Sequence, residues 1–226
     1  KVVLYRFVGE HAPTARVPLL IAYALVNRPY MVDLQSDRSL VKGLLARGED
    51  VYILDWGYPD RSDRFLMLDD YINRFIDGAV DYLRARFGQE KIYLMGRSGG
   101  TFFGIQAAAR APELYHAYIA VAQISNQLES ERLAQRYMLA RYQDEGNVKM
   151  AQRLAEAPVG DAAPLPDAYL RLRDVAMHEL GVGTTRDMRS VFTGMLLPSL
   201  LHREYTLREK IALWRGKLFS GSRLWN

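Results

Sequence analysis

The sequence predicts an α/β fold, a parallel sheet sandwiched by helices and followed by an all-helical block. Three observations carry this. Short apolar runs alternate with segments of helical periodicity through the first half of the chain, the pattern of strands joined by crossover helices. One such run, residues 92–95, passes straight into Gly96-Arg97-Ser98-Gly99-Gly100 and then into a helix-compatible segment at 101–111. After residue 125 nearly every segment reads as helix.

Taken in order, residues 2–8 are apolar and β-rich and give a first strand. Residues 11–16, with Pro13, form a turn. Residues 17–26 read as a fully buried strand. Residues 27–30 are a loop, because Pro29 pushes Arg28 away from helix. A helix at 40–46 is closed by Gly48. A strand at 51–56 is ended by Gly57 and Pro59. Residues 68–87 place Leu68, Ile72, Phe75, Ile76, Ala79, Val80 and Leu83 at helical spacing and stop at Gly88. The strand at 92–95, the helix at 101–111 and a strand at 117–124 follow. Helices are then expected at 130–145, 148–157, 168–180, 187–197 and 207–218, with a Pro/Gly/Ala linker at 160–166. The division is a core at 1–127 and a helical lid or cap at 128–226. No strand follows residue 124, so the C-terminal strands of a full sheet are expected to be missing. Sites in such sheets lie beyond the carboxyl ends of the strands. The Ser98 turn and the loops at 27–30 and 55–60 belong there.

Strand, G-x-S-x-G, helix is the context of a nucleophile elbow. The turn is tight, so the positions two before and two after the serine are small, here Gly96 and Gly100. Ser98 stands at its tip as candidate nucleophile. The Gly99 backbone N–H, at the start of the following helix, is a candidate oxyanion donor. The second donor is expected from the loop after the 17–26 strand, with Val26 or Asn27 the best placed and Val26 the one chosen. Gly104, Ala107, Ala108 and Ala111 give that helix a small face for close packing. A phosphate-cradling loop is disfavoured, because the glycine spacing does not match G-x-G-x-x-G and G-x-x-x-x-G-K-[ST] is absent.

Composition sets bounds. The 226 residues are 49% hydrophobic and 25% charged, which suits a globular chain. Cysteine is absent, which rules out disulfides, a thiolate nucleophile and Cys-ligated metals. The net charge of +4 is modest. Much of the excess lies in Arg203, Arg208, Lys210, Arg215, Lys217 and Arg223, interleaved with Trp214, Phe219 and Trp225. A solvated basic helix face is favoured there over a nucleic-acid or membrane patch. No apolar run reaches the ~20 residues that span a bilayer, and no export signal is visible, so a cytoplasmic location is expected.

These residues place the chain in resemblance to the α/β-hydrolase superfamily, and to two branches of it. From residue 2 to 96 it resembles the catalytic subunit of class III polyhydroxyalkanoate synthases, through YALVNRPYM (23–31), DRS (37–39), KGLL (42–45), VYILDWGYPD (51–60) and LDDYIN (68–73). From residue 97 onward it resembles serine hydrolases of the prolyl-iminopeptidase kind with a helical lid, through GIQAAARAPELYHAY (104–118) and VAQISNQ (121–127). The synthase resemblance implies a cysteine nucleophile where this chain has Ser98, a 3-hydroxyacyl-CoA substrate and a partner subunit. Both branches imply a catalytic acid and a histidine on later strands, which are expected to be missing here.

Ser98 needs a base, and the base needs an acid. His11 comes too early for the usual order. His116 is expected at the opposite edge of the sheet, and His178 reads as a partly buried structural residue. His202 has the right order and is the candidate base, with Glu204 nearby. The favoured reading is that none of the four serves. Asp55 is expected to hold the 56–59 turn. Asp69 and Asp70 read as helix N-terminal acids, and Arg97 is expected to fold back onto Asp55, with an anion-binding role second.

The leading expectation is serine acyl transfer on an ester or amide. The alternatives are a polyhydroxyalkanoate synthase-like acyltransferase on 3-hydroxyacyl-CoA, and a non-catalytic truncated or chimeric domain whose open sheet edge invites a homo-oligomer. No metal or organic cofactor, nucleic acid or transmembrane segment is implied.

Overall fold

Leu19–Ala22 (β2) and Val51–Asp55 (β3) are buried at every position, as strands are when helices cover both faces of a sheet. With Val3–Arg6 (β1), Ile92–Arg97 (β4) and Tyr115–Val121 (β5) they form a five-stranded sheet in the order β1-β3-β2-β4-β5. The computed structural model describes residues 2–25, 28–33, 37, 39–161, 164–182 and 187–220. The chain divides into two compact units, Lys1–Ser125 and Asn126–Asn226.

The sheet is mixed rather than wholly parallel. β3, β2, β4 and β5 run parallel, whereas β1 pairs antiparallel with β3, Val3 opposite Asp55 and Arg6 opposite Tyr52. The parallel neighbours are joined through helices: α1 (Leu40–Leu45) between β2 and β3, α2 (Leu68–Asp70) and α3 (Asp77–Phe87) before β4, and α4 (Gly100–Arg110) before β5. No helix lies between β1 and β2 to carry the chain back, so β1 enters in the opposite sense. All regular elements described after Val121 are helical: α5 (Gln127–Asp144), α6 (Val148–Ala155), α7 (Asp167–Glu179), α8 (Leu197–Leu201) and α9 (Leu207–Ser220), with a π-helical turn at Phe192–Leu196.

Several boundaries move for local reasons. Residues 68–87 are helical throughout, but Tyr71–Ile76 is a π-helix between α2 and α3, and Gly88 ends the run in the left-handed region at φ 61°. The helix expected at 187–197 instead begins in the π turn and continues into α8. Pro198 lacks the N–H that would return to Gly194, which opens the ladder just ahead of it. β5 stops at Val121 because Ala122 turns to φ 56°.

The core of the first unit gathers Ile72, Ile76, Val80 and Leu83 of the helical run with the sheet, Leu20 and Leu94 on one face of it and Ile21 and Ile53 on the other. The second unit has its own core, centred on Met138, Tyr142, Leu154, Tyr169 and Ala176. That core contains a polar tie the sequence did not reveal. Buried Gln135 donates to the carbonyls of Leu154 (2.9 Å) and Ala157 (2.7 Å) and accepts from Val159 N–H (2.8 Å). Buried Glu131 pairs with Arg173 at 2.7 Å and accepts from the Tyr169 hydroxyl at 2.9 Å.

Candidate active site

β4 ends in Gly96-Arg97, the chain turns at Ser98 with φ 50°, and α4 starts at Gly100. Ser98 is exposed while Gly96 and Gly100 are buried. A left-handed serine costs about 1–2 kcal/mol, and the surroundings hold it there. The Ser98 N–H donates to the Val121 carbonyl at 2.9 Å, and its own carbonyl accepts from Thr101 N–H at 2.9 Å. Thr101 is fully buried, and its hydroxyl oxygen accepts from Ile124 N–H at 2.9 Å. The elbow is therefore laced to the end of β5.

The glycines are demanded by close approach. A side-chain carbon on Gly100 would strike the Ala22 carbonyl and lie 2.6 Å from Tyr23 Cα. One on Gly99 would lie 2.8 Å from Ala24 Cβ. The start of α4 thus presses against the chain leaving β2, where the second oxyanion donor is expected. Val26 and Asn27 themselves lie outside the described residues. On the other side, the Tyr118 ring fills the space left by Gly96 and Gly104, and its hydroxyl lies 3.0 Å from both the Thr101 carbonyl and Gln123 Oε1. The glycines eight apart were the only sequence trace of this fit.

Asp55, at the carboxyl end of β3, is buried and occupied. It accepts from Gly57 N–H at 3.0 Å, the Tyr23 hydroxyl at 3.3 Å and the Arg28 guanidinium at 3.0 Å. Holding the 56–57 turn is the role read from the sequence. The pairing of Arg97 with Asp55 is corrected, because Arg28 fills that position from the loop after β2. Arg97 is half-buried, and among the described residues it has no ion pair or hydrogen-bonded side-chain partner. Burial alone lowers its pKa. Tyr23, Trp56, Tyr71, Phe75 and Phe103 form an aromatic wall at this end of the sheet, with ring centroids 5.4–6.1 Å apart. Asp69 and Asp70 sit at a helix start as expected, Asp70 accepting from Met67 N–H at 2.8 Å and Asp69 pairing with Arg110 at 2.7 Å.

Among the described residues the Ser98 hydroxyl has no hydrogen-bond partner. His116 lies near the start of β5, five residues from Val121 at the elbow edge, roughly 17 Å away along the strand. His11 follows β1, whose end pairs near the start of β3, so it too belongs to the amino edge of the parallel strands. His178 is partly buried, as read from the sequence, its side chain 3% exposed with Nδ1 against the Asp174 carbonyl at 2.5 Å. His202 closes α8 and accepts the Glu204 backbone N–H at 3.3 Å. His178 and His202 both belong to the second unit.

A mixed sheet whose β4 turns through an exposed serine at positive φ into α4 is the architecture of one superfamily, and the chain belongs to it: the alpha/beta hydrolase fold family, whose model matches residues 17–209. Its curated relatives are narrower in kind. The poly(3-hydroxyalkanoate) polymerase subunit PhaC of Allochromatium vinosum is 58% identical over 115 residues, covering 50% of this chain and 32% of that protein. The subunit of the same name from Synechocystis sp. is 50% identical over 113 residues, covering 50% of this chain and 30% of that one. The chain therefore spans about a third of the length of these relatives. Among solved structures, an alpha/beta hydrolase enzyme from the metagenome of Mar Chica lagoon sediments matches with a TM-score of 0.40 and 19% identity, over 53% of this chain and 48% of that one.

Proposed function

We propose that the chain carries the nucleophile of an acyltransferase of the poly(3-hydroxyalkanoate) polymerase kind, with Ser98 as the attacking residue. One coincidence carries the reading. Polymerase likeness covers half the chain, and a serine is held at φ 50° between β4 and α4. In this reading Ser98 Oγ attacks the carbonyl of a 3-hydroxyacyl-CoA thioester and forms an acyl-serine. The C–S bond breaks and CoA leaves as the thiol, carrying the serine proton. The hydroxyl of a second 3-hydroxyacyl group then attacks the acyl-serine, and its proton returns to Ser98. The oxyanion is met by Gly99 N–H, at the positive end of α4, and by Val26 N–H. A serine hydroxyl needs a base more than a cysteine thiol does. His202 is the candidate kept for it, and the helical unit is kept as the cap. The reading calls for no metal or organic cofactor and carries the cytoplasmic location with it.

The test is CoA release from 3-hydroxybutyryl-CoA, with oligomers and free 3-hydroxybutyrate separated by mass. CoA release with oligomers, lost in Ser98→Ala, is the expected result. A second reading is favoured by the serine itself: hydrolysis, in which water takes the acyl group. Free acid without oligomer selects it. No CoA release and no cleavage of simple esters by folded protein selects the non-catalytic domain.

A further inference from the structure

Arg97, the last residue of β4, directly precedes Ser98, their Cα atoms about 3.8 Å apart. Side chains along a strand alternate between the two faces of the sheet. Gly96 faces α4, where a side-chain carbon would meet Tyr118 and Thr101. Arg97 therefore leaves β4 on the opposite face, at the carboxyl end of the strand, where sites in such sheets lie. Its neighbour across the ladder is Val121 of β5, an apolar residue that is 38% exposed.

The guanidinium has no counter-charge. All 26 Asp and Glu residues of the chain are among the described residues, and none pairs with Arg97. Asp55, at the same edge of the sheet, is taken by Arg28 at 3.0 Å. Among the described residues Arg97 also makes no ring contact and no side-chain hydrogen bond. It is half-buried, and withdrawal from water without a partner lowers its pKa. A guanidinium does not give up its proton in a protein, so the charge stays. A perturbed charge of this kind beside a nucleophile marks a functional group rather than packing. Its planar fork fits a carboxylate or a phosphate. Position decides between them. Arg97 adjoins the nucleophile, so an anion it holds lies close to the carbonyl that Ser98 attacks. A carboxylate at the far end of a short acyl group meets that condition. The phosphates of CoA do not, because the pantetheine arm sets them well away from the thioester.

We propose that Arg97 is a specificity-determining residue that binds the terminal carboxylate of a short dicarboxylic acyl donor, while the ester or thioester carbonyl at its other end meets Ser98. The proposal rests on Ser98 as the attacking residue. It adds a preference for an acidic acyl group over a neutral one of the same length.

Binding and turnover test it separately. Calorimetric titration of the whole chain carrying Ser98→Ala, with monomethyl glutarate, dimethyl glutarate and CoA, needs no chemistry at Ser98. Monomethyl glutarate is expected to bind at least about tenfold more tightly than dimethyl glutarate, the factor set by charge-assisted hydrogen bonds. Adding Arg97→Gln should erase that preference, and Arg97→Lys should keep part of it, since an ammonium supplies the charge without the fork. CoA affinity should be the same in all three. With Ser98 intact, Arg97→Gln should raise KM for glutaryl-CoA about tenfold at unchanged kcat and leave butyryl-CoA as it was, the pattern of a lost binding contact. Arg97→Met should melt no lower than wild type, because it removes a half-buried charge that has no partner. A structural arginine would give a lower melting temperature. Equal binding of the two glutarate esters, no binding of monomethyl glutarate, a preference untouched by Arg97→Gln, a loss of CoA affinity in its place, or a lower melting temperature for Arg97→Met would each overturn the proposal. The glutarate preference without turnover of any acyl-CoA would support Arg97 as the anchor of the anion and overturn the Ser98 reading.

Discussion

Ser98 and Ala122 are the two described non-glycine residues at positive φ, 50° and 56°. They end neighbouring strands, joined by the hydrogen bond from Ser98 N–H to the carbonyl of Val121, the residue before Ala122. Strain of this kind gathers where a side chain must be presented rather than packed. Ala122→Gly is therefore expected to stabilise the first unit by roughly 0.5 kcal/mol: about 1–2 kcal/mol of left-handed strain is relieved against about 0.5–1 kcal/mol of added chain entropy. Chemical denaturation reads it, and a loss of stability would show that Ala122 is not strained. Gly100→Ala forces a methyl group into the Ala22 backbone and should destabilise by ~3 kcal/mol or more, with loss of the elbow. Ser98→Cys is expected to speed CoA release several-fold, since a thiol supplies some thiolate at neutral pH without a strong base. An unchanged or lower rate on folded protein would argue that Ser98 does not attack.

At the scale of the element, legibility followed locality. The Ser98 turn was readable because its rule is written within a few residues: an apolar run, small residues flanking the serine, then helix. The caps were readable for the same reason, as with Ser39 accepting from Lys42 N–H at 2.9 Å. The sense of β1 was not, because an apolar tetrapeptide does not name its partner, and only the missing crossover helix decides it. Arg97 was misread likewise: its neighbour in sequence is the elbow, but Asp55 is taken by Arg28, which arrives from another strand's loop. The Gln135 tie joins α5 to the end of α6 across two dozen residues and leaves no local sign. Gln135→Leu strips partners from the Ala157 carbonyl and from Val159 N–H, while the Leu154 carbonyl keeps Ala157 N–H at 3.3 Å. The expected loss is ~2 kcal/mol or more, about one kcal/mol or more for each of the two groups left buried and unpaired. A thermal melt that resolves the helical unit measures it, and a neutral outcome would mean that water replaces the amide.

Over the whole molecule, two units with separate cores carry two kinds of information. Among its described residues the sheet unit contains the elbow and, beside Ser98, the unpaired Arg97. The helical unit contains His178 and His202. Among the described residues of the sheet unit, both histidines lie at the amino edge of the parallel strands, away from Ser98. Any base for Ser98 must come from elsewhere than that unit's histidines, and His202→Ala tests the second unit's claim by the loss or survival of acyl transfer. Among the described residues, no helix is long and apolar enough to cross a membrane. The sheet ends on β5, where Ile119 and Val121 are 39% and 38% exposed. A homo-oligomer through the open edge would use this strand, and sedimentation equilibrium showing a monomer at every concentration removes that expectation. The central claim is narrower: Ser98 is a chemically activated nucleophile. Intact-mass analysis after fluorophosphonate treatment tests it most directly. The account predicts a single adduct on the wild-type chain and none on Ser98→Ala. No adduct on wild-type protein that is folded by circular dichroism, or an equal adduct on the Ser98→Ala variant, would contradict it.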